Sequence, residues 1–359
     1  MRTRLLGLLL LVTSGCATTW KGPEVVWPTA PETPRIRFVD SWVSVEDIDR
    51  SGWGVFKRTL LGTRGDVRFF QPMGIAVSGD GQRVYVADYQ GVQLVKVDLQ
   101  RHTMERFAPS IGFGPLFGVA LDAEENVYVS DSTQRAVLVI DQAGNLKRTL
   151  GLGELERPTG LAIDAKRQLL YVADSASVNS QKHRVHVFSL AGRKLRQLGQ
   201  DRGNAPGQYN FPTYVAVDAN GDVMVSDSMN FRLQRFSAEG ELLRVFGEPG
   251  DAQGTFSRMK GIGYDAFGNA YVVDAGHAVV QMFNRDMQLL MWFGGRVGKL
   301  EYLELPSAIA VDRTHNRIYV CEQGSIPRIN VYDLINTTEK DSVDGESSKV
   351  GSAPATPTP

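Results

Sequence analysis

The sequence predicts an all-β protein, a six-bladed β-propeller, because one strand pattern recurs six times along its 359 residues. Each copy starts with a short apolar run, passes through a turn, and continues into a second apolar run that ends in an acidic residue. The closing acids are Asp88, Asp131, Asp174, Asp227, Asp274 and Glu322. Their spacing of 43 to 53 residues matches one blade of four short strands. The repeat therefore predicts one ring-shaped domain.

The fourth copy shows the four strands of a blade most plainly. They are residues 214–218, 223–227, 233–236 and 242–246. Gly221 and Gly240 lie in the turns of the two hairpins, where a residue that accepts positive φ is needed. The first two runs are apolar almost throughout, which is typical of strands buried on both faces between neighbouring blades.

The sixth copy supplies only three strands, at residues 308–312, 318–321 and 329–333. The missing strand is predicted upstream, at residues 35–41, which we expect to pair beside residues 329–333 and close the ring. Closure protects the sheet edges and joins the two ends of the chain. The propeller is therefore expected to span residues 35–335.

Two segments carry a resemblance to a known family. Residues 227–236, Asp-Ser-Met-Asn-Phe-Arg-Leu-Gln-Arg-Phe, resemble an NHL repeat, and residues 203–212 resemble the linker between blades in that family. The resemblance implies an NHL-type propeller. Some NHL-type rings are docking surfaces, and several similar propeller families are metal-dependent lyases or lactonases. Together with the residues Val12-Thr13-Ser14-Gly15-Cys16 near the start of the sequence, these repeats resemble those of a bacterial NHL-repeat lipoprotein.

The first residues are typical of an export signal. Arg2 and Arg4 precede an apolar run of eight residues, Leu5 to Val12, which is too short for the roughly 20 residues that span a bilayer. The following residues, up to Cys16, resemble a bacterial lipobox, which implies a signal peptide at residues 1–15 and a lipid on Cys16. Ala17 is not the Asp that marks retention at the inner membrane in enterobacterial lipoproteins. The resemblance therefore implies a bacterial envelope protein anchored in the outer membrane and facing the periplasm.

The terminal segments, the net charge and the cysteines limit which partners the chain is expected to have. Residues 16–34 are rich in Pro and Thr and are interpreted as a tether, and residues 336–359 as a disordered tail. A net charge of −1 does not favour a nucleic-acid partner. A lipid on Cys16 would leave Cys321 without an intramolecular partner, so we interpret Cys321 as a buried structural thiol. The ring is expected to be monomeric.

The closing acids are the first candidates for a site, because strand polarity places them on one face of the ring. A ring of carboxylates near the channel is a possible site for a divalent cation. The alternative is that each Asp accepts hydrogen bonds from nearby backbone amides or from a following Arg, such as Arg135, Arg184, Arg232 or Arg328. No cofactor is predicted, and the cation is left open. The candidates for a ligand-binding face are Asp131, Asp174, Asp227, Arg232, Asp274 and His277.

The five His residues do not form a convergent ligand set in the sequence. Only His183 and His277 follow closing acids, in the third and fifth copies, and no Ser-His-Asp or phosphate-loop motif occurs. We therefore favour a binding scaffold for an envelope protein or polymer over an enzyme. The alternative is a metal-dependent lyase or lactonase in the channel, with Asp227, Asp274 and His277 as ligands and Arg232 steadying an anion.

The segment at residues 51–61 has the period of a helix. Trp53, Phe56, Leu60 and Leu61 fall on one helical face, with Lys57 and Arg58 beside them. It is interpreted either as a cover over the channel mouth or as a helix that docks a partner or the membrane surface.

Overall fold

The computed structural model describes residues 24–52, 67–295 and 302–336. Cys16, the predicted signal peptide, the apolar face predicted over residues 53–61 and the predicted tail beyond residue 336 lie outside these ranges. Within them, six antiparallel sheets form a closed ring, so the predicted six-bladed propeller is confirmed. No helix in this part of the chain is long and apolar enough to cross a membrane.

Five blades have four strands each, in chain order. Before the first blade come β1 (Val26–Trp27), β2 (Ile36–Trp42) and a short helix, α1 (Val45–Ile48). Blade 1 is β3 (Pro72–Val77), β4 (Arg83–Asp88), β5 (Gln93–Asp98) and β6 (Thr103–Phe107). Blade 2 is β7 (Leu116–Leu121), β8 (Val127–Asp131), β9 (Ala136–Ile140) and β10 (Leu146–Leu150). Blade 3 is β11 (Pro158–Asp164), β12 (Leu169–Asp174), β13 (Arg184–Ser189) and β14 (Lys194–Leu198).

The second half of the ring repeats this plan. Blade 4 is β15 (Pro212–Val217), β16 (Val223–Asp227), β17 (Arg232–Phe236) and β18 (Leu242–Phe246), with a single 3₁₀ turn at Ser228–Asn230. Blade 5 is β19 (Met259–Tyr264), β20 (Ala270–Asp274), β21 (Val279–Phe283) and β22 (Leu289–Gly294). Blade 6 contains β23 (Pro306–Asp312), β24 (Arg317–Glu322) and β25 (Arg328–Leu334).

The first strands of the blades surround the axis. Each contacts the first strand of the next blade, from β3 through β7, β11, β15 and β19 to β23 and back to β3. The backbones of neighbouring first strands approach each other so closely that several positions require glycine. A Cβ on Gly118 would lie 2.3 Å from the carbonyl oxygen of Thr159 in the next blade. The second strands are buried except for Arg83 and Arg317 at the starts of β4 and β24, whereas the fourth strands face solvent along much of their length.

The predicted closing strand is present. β2 pairs antiparallel with β25, with Ile36 opposite Leu334 and Trp42 opposite Ile329, and thus supplies the fourth strand of blade 6. The N-terminal and C-terminal parts of the described chain are therefore held in one sheet, which ties the ring together.

Blade 6 has a fifth strand that the sequence interpretation did not foresee. β1 pairs with β2 at the outer edge, with Trp27 opposite Ile36. Trp27 is only 8% exposed and packs against Phe293, Tyr302 and Tyr332 at ring-centroid distances of 6.1, 6.3 and 5.9 Å. The segment interpreted as a tether therefore contributes an aromatic side chain to the core between blades 5 and 6.

Candidate functional site

One face of the ring carries the linkers between blades. Because the strands of a blade alternate in direction, the second and fourth strands end on the face where the first and third strands begin. We call this the linker face. All six closing acids end second strands, so they lie around it, and each is at most 1% exposed.

The closing acids hold the linkers to the sheets. In blade 3, the backbone N–H groups of Glu156 and Arg157 donate to the carboxylate of Asp174 at 2.8 and 2.7 Å. Burial opposes ionisation, but hydrogen bonds from His186 and the backbone outweigh it and lower the pKa of Asp174. Equivalent linker amides donate to the other acids: Phe70 and Gln71 to Asp88, Gly114 to Asp131, Asn210 to Asp227, Ser257 and Arg258 to Asp274, and Glu304 and Leu305 to Glu322. The backbone alternative considered for these acids therefore describes all six.

Arg232 joins this arrangement in blade 4. Its Nε donates to Asp227 at 2.8 Å, and its other nitrogens donate to three carbonyls of the preceding linker. Those carbonyls belong to Asn204, Ala205 and Gln208, at 2.7 to 3.0 Å. Burial is the largest influence on Asp227 and raises the pKa of its carboxyl. Arg232 therefore fastens a linker. The other Arg residues expected beside closing acids differ, since Arg184 pairs with Asp201 and Arg328 bonds Asn330.

The linker before blade 4 is held by His183 as well as by Asp227, because Asp227 accepts the N–H of Asn210 but not that of Phe211. The Nδ1 of His183 accepts the backbone N–H of Phe211 at 3.0 Å, and its ring packs on the Phe211 ring with centroids 4.5 Å apart. Because Nδ1 accepts, the proton is on Nε2, which donates to the carbonyl of Ser177 at 3.3 Å. Burial lowers the pKa of His183. This neutral imidazole bridges blades 3 and 4.

His277 occupies a different environment in blade 5. Its Nδ1 lies 2.9 Å from Asp274, while its buried Nε2 has no hydrogen-bond partner among the described residues and lies 4.0 Å from the carboxylate of Asp251. The ring lines a cavity of about 330 Å³ with Asp251, Gln281 and Trp292. His183 and His277 thus belong to separate contacts in different blades. No three His, Cys, Asp or Glu residues of the described ranges come together as a metal site, so a channel cation has no ready ligand set there.

The channel is filled near its axis. Tyr214 in blade 4 donates from its hydroxyl to the carbonyl of Met73 in blade 1, at 2.8 Å, and the two blades lie opposite each other. The ring of Phe117 packs on Tyr214 with centroids 5.3 Å apart. The repeat would place glycine at position 214, as at Gly74 and Gly118. Tyr214 was not identified from the sequence, although its departure from that glycine is a visible signal.

Exposed apolar side chains are distributed unevenly between the faces. Among described residues, six large apolar side chains that are 37–65% exposed lie in loops on the linker face, and the other large exposed ones lie on the outer strands of the blades. The six are Phe70, Val92, Leu152, Val178, Met229 and Ile326. The turns of the opposite face carry none in the described part of the chain. The linker face is therefore the more apolar of the two loop surfaces.

Comparisons with known sequences match about a quarter of the chain. The chain is 32% identical over 97 residues to protein brain tumor of Drosophila melanogaster and 33% identical over 98 residues to E3 ubiquitin-protein ligase NHLRC1 of Rattus norvegicus. These matches cover 26% and 27% of this chain but only 9% and 23% of those proteins. No family model matches the chain.

Comparisons with solved structures cover most of the ring. A gluconolactonase from Xanthomonas campestris superposes with a TM-score of 0.60 at 16% identity, over 88% of this chain and 98% of that one. The calcium-binding protein regucalcin from Agrobacterium tumefaciens gives 0.59 at 12% identity, over 82% and 93%. A streptogramin B lyase gives 0.54 at 14%, over 77% and 86%. At such identities the likeness shows the fold alone, a β-propeller.

Proposed function

We propose that this chain is a lipid-anchored envelope protein whose propeller docks a protein partner on the linker face. The observation that carries the proposal is the one-sided distribution of exposed apolar loop residues. Single exposed apolar residues are ordinary on protein surfaces, but their restriction to one loop surface is typical of an interaction face. The closing acids support a scaffold as well, because their carboxylates are engaged with backbone amides.

Blades 3 and 4 carry two of the three most exposed of these six side chains. Val178 is 65% exposed and Met229 is 54% exposed, in the loops that follow β12 and β16. Met is adaptable in shape and common at surfaces that bind partners. Because both loops follow second strands held at their ends by the linker contacts, they present these side chains on a fixed base.

We expect the double substitution Met229→Glu/Val178→Glu to reduce recovery of a cross-linked partner from envelope membranes by about tenfold or more, because charge would then be buried in the interface. Leu243→Glu is the matched control, since Leu243 is 50% exposed but lies on the outer strand β18. Recovery is measured by quantitative mass spectrometry after cross-linking. A partner captured equally by all three proteins, or no specific partner for the unaltered chain, would contradict the docking surface.

The anchoring part of the proposal rests on the resemblance to a lipobox ending at Cys16. Only residues 17–25 separate Cys16 from β1, and nine residues reach at most about 30 Å when fully extended. β1 lies at the outer edge of blade 6. A lipid on Cys16 would therefore hold the rim of blade 6 within about 30 Å of the membrane surface.

Cys16→Ser is expected to move the protein from the membrane fraction to the soluble fraction, because the acyl chains supply most of the membrane affinity. The readout is fractionation with immunoblotting, together with the mass of the N-terminal peptide. Cys321→Ala is the control, since that thiol is fully buried in blade 6 and should leave anchoring unchanged. Retention of the Cys16→Ser protein in the membrane would argue against lipidation.

A metal-dependent lyase or lactonase is the second candidate, favoured by one observation. His277 is oriented by Asp274 and lines a cavity, and its Nε2 lies 4.0 Å from the carboxylate of Asp251, beyond hydrogen-bond distance. A histidine held by a carboxylate in this way can transfer protons, or its imidazole can serve as one ligand of a metal ion. About one divalent ion retained per full chain after dialysis would favour this candidate over a pure scaffold.

A further inference from the structure

We propose that the mouth of the central channel on the linker face binds a small oxyanion, a carboxylate or a phosphate, through Arg157, Arg258 and Lys260.

The positions of the three side chains define the site. Lys260 is the second residue of β19, at the position where β7 carries Phe117, whose ring packs on Tyr214 inside the channel. Lys260 therefore lines the channel near the linker face, and it is half-buried there. Arg157 and Arg258 immediately precede β11 and β19, so they lie on the inner rim of blades 3 and 5.

The two Arg residues are held in place by their own backbones. The N–H of Arg157 donates to Asp174 at 2.7 Å, and the N–H of Arg258 donates to Asp274 at 2.8 Å. Their side chains are exposed at the rim. The residues before the first strands of the other blades are uncharged: Gln71, Pro115, Phe211 and Leu305. Of the six residues that immediately precede the first strands, only Arg157 and Arg258 are therefore charged, and their blades flank blade 4.

None of these three cations has an ion-pair partner in the described part of the chain. Arg232 and Arg235, in contrast, both bond carboxylates in blade 4. Burial, followed by the like charges of Arg258 and Arg157, lowers the pKa of Lys260 to about 8. Arg157 of blade 3 and Arg258 of blade 5 therefore both lie close enough to Lys260 for their charges to act on it. A crowded, partly desolvated group of cations lacks a counter-charge, and an anion would supply it.

The shape of the site limits the ligand to a small one. Phe117, at the level of Lys260, and Tyr214, one residue further along its strand, fill the channel, and Tyr214 is bonded to Met73 on the opposite side. A ligand at the mouth therefore cannot extend down the channel. Guanidinium groups bind carboxylate and phosphate oxygens in a two-pronged geometry, and the Lys260 ammonium adds a third donor group.

Calorimetric titration of the full chain with citrate and, separately, with inorganic phosphate tests the proposal. Saturable binding of either probe is expected, and Lys260→Met and Arg258→Gln are each expected to raise its Kd about tenfold or more. The matched controls, Lys166→Met and Arg193→Gln, remove the same charges from exposed turns of the opposite face and should leave the Kd unchanged.

The two probes distinguish the ligand class, since tighter binding of citrate indicates a carboxylate and tighter binding of phosphate a phosphate ligand. If Lys260→Met fails to fold, the exposed Arg258→Gln variant decides the question. Absence of saturable binding of both probes up to about 10 mM, or equal affinities for the unaltered chain and the Arg258→Gln variant, would overturn the proposal.

Discussion

Asp227→Ala is expected to lower the free energy of unfolding by about 3–5 kcal/mol, because it removes one partner of a buried ion pair. Asp227 is fully buried and the side chain of Arg232 is 11% exposed, so Arg232 would be left without its carboxylate in a poorly hydrated place. The N–H of Asn210 and the amide groups of Asn230 and Gln234 would also lose their acceptor. Denaturant unfolding followed by intrinsic fluorescence measures the loss.

Two comparisons separate this effect from a general sensitivity to substitution. Asp286→Ala removes a carboxylate from an exposed turn of blade 5 and should change the free energy of unfolding by less than about 0.5 kcal/mol. Combining Asp227→Ala with Arg232→Met should cost less than the sum of the two single substitutions, by about 1 kcal/mol or more, because the uncompensated charge is then absent. A loss below about 1 kcal/mol for Asp227→Ala alone would show that the linker is held by other contacts.

The blades were predictable because their determinants are local and repeated. Apolar runs broken by turns define strands, and the six closing acids fall at the ends of the six second strands. The closing strand was predictable by counting, since blade 6 lacked one strand and residues 35–41 supplied it. The contact of these acids with backbone amides was also foreseen, because Asp beside a turn usually finds nearby N–H groups.

Contacts between blades were not predictable in the same way. Tyr214 bonds the carbonyl of Met73, which is 141 residues away in the chain, and only closure of the ring brings them together. His183 follows a closing acid and was therefore considered as a ligand, yet its Nδ1 accepts an amide of the next blade. These roles depend on which residue the neighbouring blade presents, and the pattern of a single repeat does not contain that information.

The cations of the channel mouth were predictable from the sequence only in part. Arg157 and Arg258 occupy equivalent positions in repeats 3 and 5, and aligning the repeats would have exposed them as the charged members of an otherwise uncharged set. Their proximity to Lys260 still required the ring, because blade 4 separates the two Arg residues in the chain.

Composition did not reveal the two-residue strand that precedes the closing strand. Pro and Thr dominate residues 28–34, which favoured a tether over the whole of residues 16–34. Trp27 ends an apolar run of only three residues, Val25 to Trp27, which lies between Glu24 and Pro28 and is too short to predict a strand. Its aromatic partners come from blades 5 and 6, hundreds of residues downstream, and that packing holds the two-residue strand in place.

Trp27→Ala is accordingly expected to lower the free energy of unfolding by about 3–5 kcal/mol, the usual cost of removing a buried large aromatic side chain. The substitution would leave a void against Phe293 and Tyr332 and would free the outer edge of β2 by loosening β1. Trp292→Ala is the matched control, because Trp292 is 37% exposed on the outer strand β22, and its loss should cost about 1 kcal/mol or less. Denaturant unfolding of both variants, followed by circular dichroism, measures the difference.

Equal small losses of unfolding free energy in the two variants would mean that β1 adds nothing to the ring and that the tether extends to residue 34. A loss confined to Trp27→Ala would instead make the outer edge of blade 6 the point from which the chain leaves the propeller.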